Sequence, residues 1–384
     1  MKIGVDNISS GLSTSPGALG GMRMYLKNCI ESLLNEEQTC QIIMFSPEWY
    51  VSPFPAGLDR FKEVRLKVSS RRLLRVIFEQ TLYRRAIQRI APDVFLGMCN
   101  IVPLKLRTPS VLLVKSLQFL HYPEAYGRFQ LIYQNIFTRL SARTVTLVVV
   151  PTESCKVDLL QVMRVPEDKI RVVPEALYIK NTNILESDQG SALRACVEQL
   201  TGKRPFLLCV GATYGYKNLD RLIAAFAHLK ITQNLPHVLL LIGGETSVSF
   251  KSLASKAHQH DVAGSVILAG AQPHDVVVAA YNMAELMVMP TLYETFGHPV
   301  LEAMACGCPV VTSNRGAVAE VAGDAAILVD PFQLDEVMEG MRRVLNQVNL
   351  RKQLIERGRI RAGNFTWERT AAKLLEVLEE AANF

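Results

Sequence analysis

The sequence predicts an α/β chain built from two tandem, doubly wound, Rossmann-like domains. Three observations carry this expectation. Short apolar runs rich in β-branched residues alternate with amphipathic helical patterns along the chain, as parallel sheets flanked by helices require. The alternation falls into two series separated by the polar, aperiodic stretch 181–191, which reads as part of a linker. A length of 384 residues suits two or three domains, and a composition 49% hydrophobic and 20% charged suits a large buried core.

In the first series the candidate strands are 2–6, 41–45, 93–96, 110–114, 146–150 and 170–173. Helical patterns lie between them near 21–34, 71–90, 125–142 and 153–162. The second series places strands at 206–210, 238–242, 266–268, 286–289, 309–312 and 326–329, most of them followed by a helix. A closing helix starts near Trp367 and carries Leu374, Leu375 and Leu378. The expected domains are therefore 1–180 and 181–366, with 367–384 crossing back onto the first. Two such sheets in tandem imply an interdomain cleft at the carboxyl ends of the strands, where this architecture binds ligands.

Composition narrows the functional classes. The N-terminus lacks a basic-then-apolar leader pattern and no uncharged run is long enough to span a bilayer, so a cytoplasmic protein is expected. The eight cysteines are scattered, mostly within apolar runs, and read as reduced core residues. Cys306 and Cys308 form a C-x-C with no second ligand pair nearby, so no metal site is expected there. Charge is uneven: residues 1–180 hold 24 Lys+Arg against 15 Asp+Glu, and residues 181–384 hold 18 against 21. A basic first half suits an anionic partner such as a phosphate-bearing acceptor or an acidic membrane surface. Nucleic acid is not expected, because no recognition motif or aromatic–basic interleaving accompanies the charge.

The most informative stretch is P-T-L-Y-E-T-F-G-H-P-V-L-E-A-M-A-C-G-C-P-V-V, from Pro290 onward. A buried strand ends at Met289, a loop follows, and a short helix begins near Pro299, since proline suits the first helical position. Gly307 and Pro309 stop that helix. Backbone amides and the positive end of the helix dipole then point towards the cleft, where they suit a diphosphate. Glu294 on the loop and Glu302 on the helix are costly beside an anion unless they serve neutral hydroxyls of a sugar or ribose.

With seven residues between them, Glu294 and Glu302 resemble the E-x7-E motif of retaining GT-B glycosyltransferases. The downstream S-N-R-G-A-V-A-E-V-A-G-D-A-A-I-L-V-D-P (313–331) is similar to the same large family, glycosyltransferase family 4 or group 1, with a mannosyltransferase-like texture. The resemblance implies a donor that is a nucleotide diphosphate sugar, GDP-mannose first and UDP-sugars next, and no metal or other cofactor. It implies that Glu294 contacts the donor sugar and that Glu302 binds the ribose. The backbone of Thr295, Phe296, Gly297 and His298 would hold the diphosphate. Lys217, in Gly211-Ala-Thr-Tyr-Gly-Tyr-Lys-Asn218, matches the family's loop cation, which neutralises the leaving diphosphate. A lysine at a helix start opposes the dipole, and this mismatch also favours a functional role.

Other positions carry two readings. Gly20 and Gly21, in Gly17-Ala-Leu-Gly-Gly, match the family's glycine-rich loop near the donor phosphate, although glycine pairs also make ordinary turns. Gly243 and Gly270 stand where relatives bring the nucleobase against the backbone, or are turns. The basic helix 71–90 either packs on its sheet or lies on an anionic membrane. The sequence departs from the family in two places. Lys115-Ser116 replaces a His-Asp pair, leaving Lys115 as a donor or acceptor contact and His121 as an imidazole source or a turn residue. Ala212 and Tyr216 stand where relatives carry an arginine beside the lysine. The expected activity is retaining hexosyl transfer to a carbohydrate or lipid-linked acceptor. These departures motivate one alternative, a non-catalytic nucleotide- or sugar-binding subunit.

Overall fold

The computed structural model describes residues 1–8, 20–36, 40–55, 57–69 and 72–384. The chain divides into two units, Met1–Ala176 with Thr366–Phe384, and Leu177–Phe365. The stretch 181–191 lies inside the second unit. Ile184 is buried, and Asn282 donates a hydrogen bond from Nδ2 to the Thr182 carbonyl at 2.7 Å. Its polarity reflects a short 3-10 turn at Ile184–Glu186 and the start of the helix Gly190–Thr201, not a linker.

Among the described residues the first unit has seven strands: β1 (Lys2–Asp6), β2 (Gln41–Pro47), β3 (Phe61–Leu66), β4 (Val94–Gly97), β5 (Ser110–Leu113), β6 (Leu147–Val150) and β7 (Ile170–Val172). Their order is β3-β2-β1-β4-β5-β6-β7, and neighbouring strands pair in parallel. Strands β4, β5 and β6 are buried throughout, which explains their near-continuous apolar sequences, broken only by Ser110 at the start of β5. Strand β3 was not legible in the sequence. It reads F-K-E-V-R-L, pairs through Phe61↔Ile42 to Leu66↔Pro47, and lies at the sheet edge, where charged residues blunt unwanted pairing.

The helical pattern 71–90 becomes Arg72–Phe78 and Arg84–Ile90, joined by a π-helical stretch at Glu79–Tyr83. This segment turns Arg75, Glu79 and Tyr83 inward. Arg75 Nε lies 2.8 Å from Glu79 Oε1, Tyr133 donates to Glu79 Oε2 at 2.9 Å, and Tyr83 donates to Asp6 Oδ1 at 2.7 Å. Burial raises the Glu79 carboxyl above its usual range, and Arg75 opposes that shift. The helix Trp367–Ala382 packs against Gly20–Glu36, with the Trp367 and Tyr25 rings 5.3 Å apart, edge to face. Arg171 Nε holds Glu380 Oε2 at 2.9 Å, and Thr370 Oγ1 donates to the Pro174 carbonyl at 2.9 Å.

The second unit has six strands: β8 (Phe206–Val210), β9 (Val238–Ile242), β10 (Val266–Gly270), β11 (Leu286–Met289), β12 (Val310–Ser313) and β13 (Ile327–Val329). The order β10-β9-β8-β11-β12-β13 is again parallel. Alternate residues of β8 enter two different cores, Phe206 and Leu208 one, Leu207 and Cys209 the other. Both faces are thus covered by helices, and the chain direction across the sheet reverses between β8 and β11. That switch point brings the loops after these two strands side by side.

Candidate functional site

The loop after β8 carries Gly211 to Asn218, with a 3-10 turn at Gly215–Lys217. The loop after β11 runs from Pro290 to Gly297 and feeds the helix His298–Ala305. Backbone and side chains staple the two loops together. Leu292 N donates to the Tyr216 carbonyl at 2.7 Å, and Asn218 Nδ2 donates to the carbonyls of Pro290 at 3.0 Å and Pro331 at 2.7 Å. Asn218 adopts a left-handed conformation (φ +59°), which asparagine tolerates better than most residues.

This frame brings Lys217 and Glu294 together. Lys217 donates from Nζ to Glu294 Oε1, and both side chains are nearly enclosed, 11% and 10% exposed. Thr291, on the same loop, has its Oγ1 3.4 Å from Glu294 Oε1 and 3.1 Å from the Tyr216 carbonyl. Lys217 lies across the Gly211 backbone, where a Cβ would meet its Nζ at 3.3 Å. Gly211, Gly243 and Gly270 end three adjacent strands. Gly211 N donates to the Ile242 carbonyl at 2.8 Å and Gly243 N to the Gly270 carbonyl at 2.9 Å. A Cβ at Gly243 would sit 2.0 Å from the Gly211 oxygen, so only glycine fits.

Glu302 lies on the helix His298–Ala305 and is buried. Tyr281 donates to its Oε2 at 3.1 Å. Burial raises the Glu302 carboxyl, against the opposing influence of His298, His274 and Tyr281. The helix starts at His298, with Pro299 in its first turn. Gly297 has φ +102°, and a Cβ there would meet Val318 Cγ1 at 2.6 Å. His298 stacks on Tyr178 at 4.2 Å and leans on the buried Phe296 at 4.8 Å, while Thr295 is also buried. Burial pushes the Cys306 thiol up to about 12 and the Cys308 thiol higher still, so both persist as core thiols.

The candidates in the first unit have other surroundings. Gly20 and Gly21 open the helix Gly20–Glu36, whereas the preceding part of the expected loop, 17–19, lies outside the described residues. Lys115 follows β5 but points into the unit. Its Nζ is 3.0 Å from Glu175 Oε1 and 2.8 Å from the Tyr25 ring centroid. Burial lowers the Lys115 pKa, with Glu175 opposing. His121, in the short helix Gln118–His121, pairs through Nε2 with Asp158 Oδ1 at 2.9 Å, an arrangement that joins two surface segments. The partners Tyr281, Glu175 and Tyr25 were not singled out from sequence. Each is distant along the chain from the residue it contacts and sits in an ordinary apolar pattern, so no local signal marked it.

Two parallel-sheet, Rossmann-like units of this topology define the GT-B class of folds. Comparison with solved structures agrees on the fold. Sucrose-phosphate synthase from Thermosynechococcus elongatus superposes with a TM-score of 0.74 at 18% identity, covering 99% of this chain and 98% of that one. HepE of Anabaena, solved with UDP and glucose, gives 0.71 at 16%, covering 99% and 100%. Residues 19–177 match the family described as Glycosyltransferase Family 4, and residues 197–361 match Glycosyl transferases group 1. The chain belongs to this glycosyltransferase family.

Among curated relatives, O-antigen chain mannosyltransferase B of Escherichia coli is 24% identical over 249 residues, 64% of either chain. D-inositol 3-phosphate glycosyltransferase of Segniliparus rotundus is 32% identical over 171 residues, 43% of this chain and 38% of that protein. MMP alpha-(1->4)-mannosyltransferase of Mycolicibacterium hassiacum is 27% identical over 228 residues, 58% and 51%. Each match spans less than two thirds of the relative's own length.

Proposed function

We propose that the chain is a retaining hexosyltransferase that moves a sugar from a nucleotide diphosphate sugar to an acceptor hydroxyl, in polysaccharide or glycolipid assembly. The observation that carries this reading is the pairing of Lys217 with Glu294 at the switch point, one loop away from the buried Glu302. In the proposed reaction the bond from the anomeric carbon to the diphosphate oxygen breaks. The acceptor oxygen bonds to the same face of that carbon, and its proton passes to the leaving phosphate. Lys217 neutralises the charge growing on the diphosphate, so no divalent ion is required. Glu294 supports positive charge at the anomeric carbon. Glu302, with Oε2 held by Tyr281, accepts ribose hydroxyls through Oε1. Gly270, with no atom within 4 Å of its Cβ position, leaves room for a ligand to approach the backbone, while Gly243 packs directly on the Gly211 backbone.

The mannosyltransferase names among the relatives favour GDP-mannose, with UDP-sugars second. The basic first half suits a carbohydrate acceptor that is phosphate-bearing or lipid-linked. A thermal-shift screen with GDP, UDP, ADP and their sugar conjugates tests the donor. A ligand at about a hundred times its Kd raises stability by about 2.7 kcal/mol. Anomeric analysis of the product by NMR tests retention, and unchanged turnover in EDTA tests the independence from metal.

The enclosed position of Lys115, paired with Glu175, favours one second reading: a non-catalytic nucleotide- or sugar-binding subunit. Nucleotide binding without donor turnover would select it.

A further inference from the structure

We infer that two helical segments of the first unit, 72–90 and 128–144, form a docking surface for an anionic membrane. On the helix Arg128–Thr144, Phe129, Ile132, Ile136 and Leu140 are 48%, 59%, 50% and 40% exposed. Their spacing of three, four and four residues places them in one stripe along the helix. On the other segment, Leu74, Ile77 and Leu82 are 49%, 60% and 57% exposed. The five-residue step from Ile77 to Leu82 passes through the π-helical stretch Glu79–Tyr83, whose wider turn keeps both on the outer face while Arg75, Glu79 and Tyr83 face inward.

The two segments share one side of the sheet. The connections β3 to β4 and β5 to β6 advance across it in the same direction, and right-handed crossovers put both on one face. Tyr133 bridges them directly by its hydrogen bond to Glu79. Soluble surfaces seldom present seven large apolar side chains on adjoining helices without an occupant.

Charge selects the occupant. Arg85, Arg89, Arg128 and Arg143 are exposed on the same segments. Their one acidic residue, Glu79, is buried and held by Arg75 and Tyr133. Exposed apolar stripes bordered by arginines, with no exposed carboxylate, match the boundary between acyl chains and anionic headgroups. The same charge disfavours a second copy, since a symmetric pairing would oppose like charges. Among the described residues no helix is long and apolar enough to cross a membrane, so contact would be made from the surface. The inference deepens the lipid-linked acceptor reading above. Vesicle binding requires neither donor nor transfer, so failure of the two is read separately.

Co-sedimentation of the full chain with vesicles of phosphatidylcholine alone and with about 30% phosphatidylglycerol tests it. Binding is expected to the anionic vesicles only, and to weaken as salt is raised. Arg85→Glu with Arg89→Glu is expected to lower partitioning by at least about tenfold. Ile132→Ser with Ile136→Ser is expected to lower it as well, with thermal unfolding unchanged because these side chains are exposed. No binding to anionic vesicles at low salt would overturn the proposal, as would wild-type binding by the Ile132→Ser/Ile136→Ser variant. A dimer in vesicle-free solution that this variant dissociates, seen by light scattering, would instead make the surface a protein interface.

Discussion

Lys217 donates from Nζ to Glu294 Oε1, closing an ion pair between the loops that follow β8 and β11, with both side chains about nine-tenths enclosed. In so protected a pair each charge depends on the other. Removing one leaves a desolvated charge without compensation, a loss of about 3–5 kcal/mol in buried pairs. Lys217→Ala is therefore expected to destabilise the second unit by that order in urea unfolding. Lys217→Ala with Glu294→Ala should recover part of the loss. Turnover should respond differently: each single variant is expected to lower kcat by about 10²–10³-fold, and the double variant should not restore it. Recovery of kcat with stability would make the pair a structural staple only.

The buried Glu302 gives a pH signature. Burial raises its carboxyl in the folded chain above the ordinary 4.5. Between 4.5 and the folded value the native state holds more protons than the unfolded one, so stability falls as pH rises through that window and then levels. Glu302→Gln removes this slope. Urea unfolding from pH 4 to 8 should show the variant gaining on the wild type as pH rises, while nucleotide stabilisation is lost. A difference constant with pH would contradict the raised carboxyl.

Tyr281→Phe probes the same carboxylate from its partner. It removes the hydroxyl that donates to Glu302 Oε2 at 3.1 Å and leaves a buried acceptor unsatisfied. The expected cost is about 1–3 kcal/mol, read by thermal unfolding. Nucleotide affinity should fall less than in Glu302→Gln, because Tyr281 acts by positioning.

Gly297 is constrained twice, by φ +102° and by a Cβ position 2.6 Å from Val318 Cγ1. Gly297→Ala is expected to cost about 1–3 kcal/mol from conformation, with a further loss from the clash. Gly297→Ala with Val318→Ala should relieve the clash and leave the conformational part, a non-additivity that a double-mutant cycle measures.

Lys115 and Glu175, 3.0 Å apart in the first unit, offer a contrast with Lys217 and Glu294. Lys115→Ala is expected to destabilise by about 3–5 kcal/mol, and Lys115→Met with Glu175→Gln to recover much of it. Steady-state kinetics of that double variant assigns the role. An unchanged KM for donor and acceptor would make Lys115 structural, whereas a raised KM would restore it as a substrate contact.

Local pattern determined a great deal here. Fully apolar strands flanked by amphipathic helices specified two parallel sheets, since both faces of such strands must be buried and only helices can cover them. The spacing of Glu294, Glu302, Gly297 and Pro299 placed a loop and a helix start together, because their physical causes lie within a dozen residues. The edge strand β3 escaped because its charges suit an edge and break the apolar signal. The π-helical stretch escaped because one inserted residue leaves composition unchanged. Tertiary structure alone decided which charges meet. Lys217 and Glu294 are 77 positions apart, and Lys115 finds Glu175 and Tyr25 only once the sheet has formed around them. Pairing of this kind follows from the order of strands across a sheet, which depends on contacts distant along the chain and leaves no periodic mark in the residues that make them.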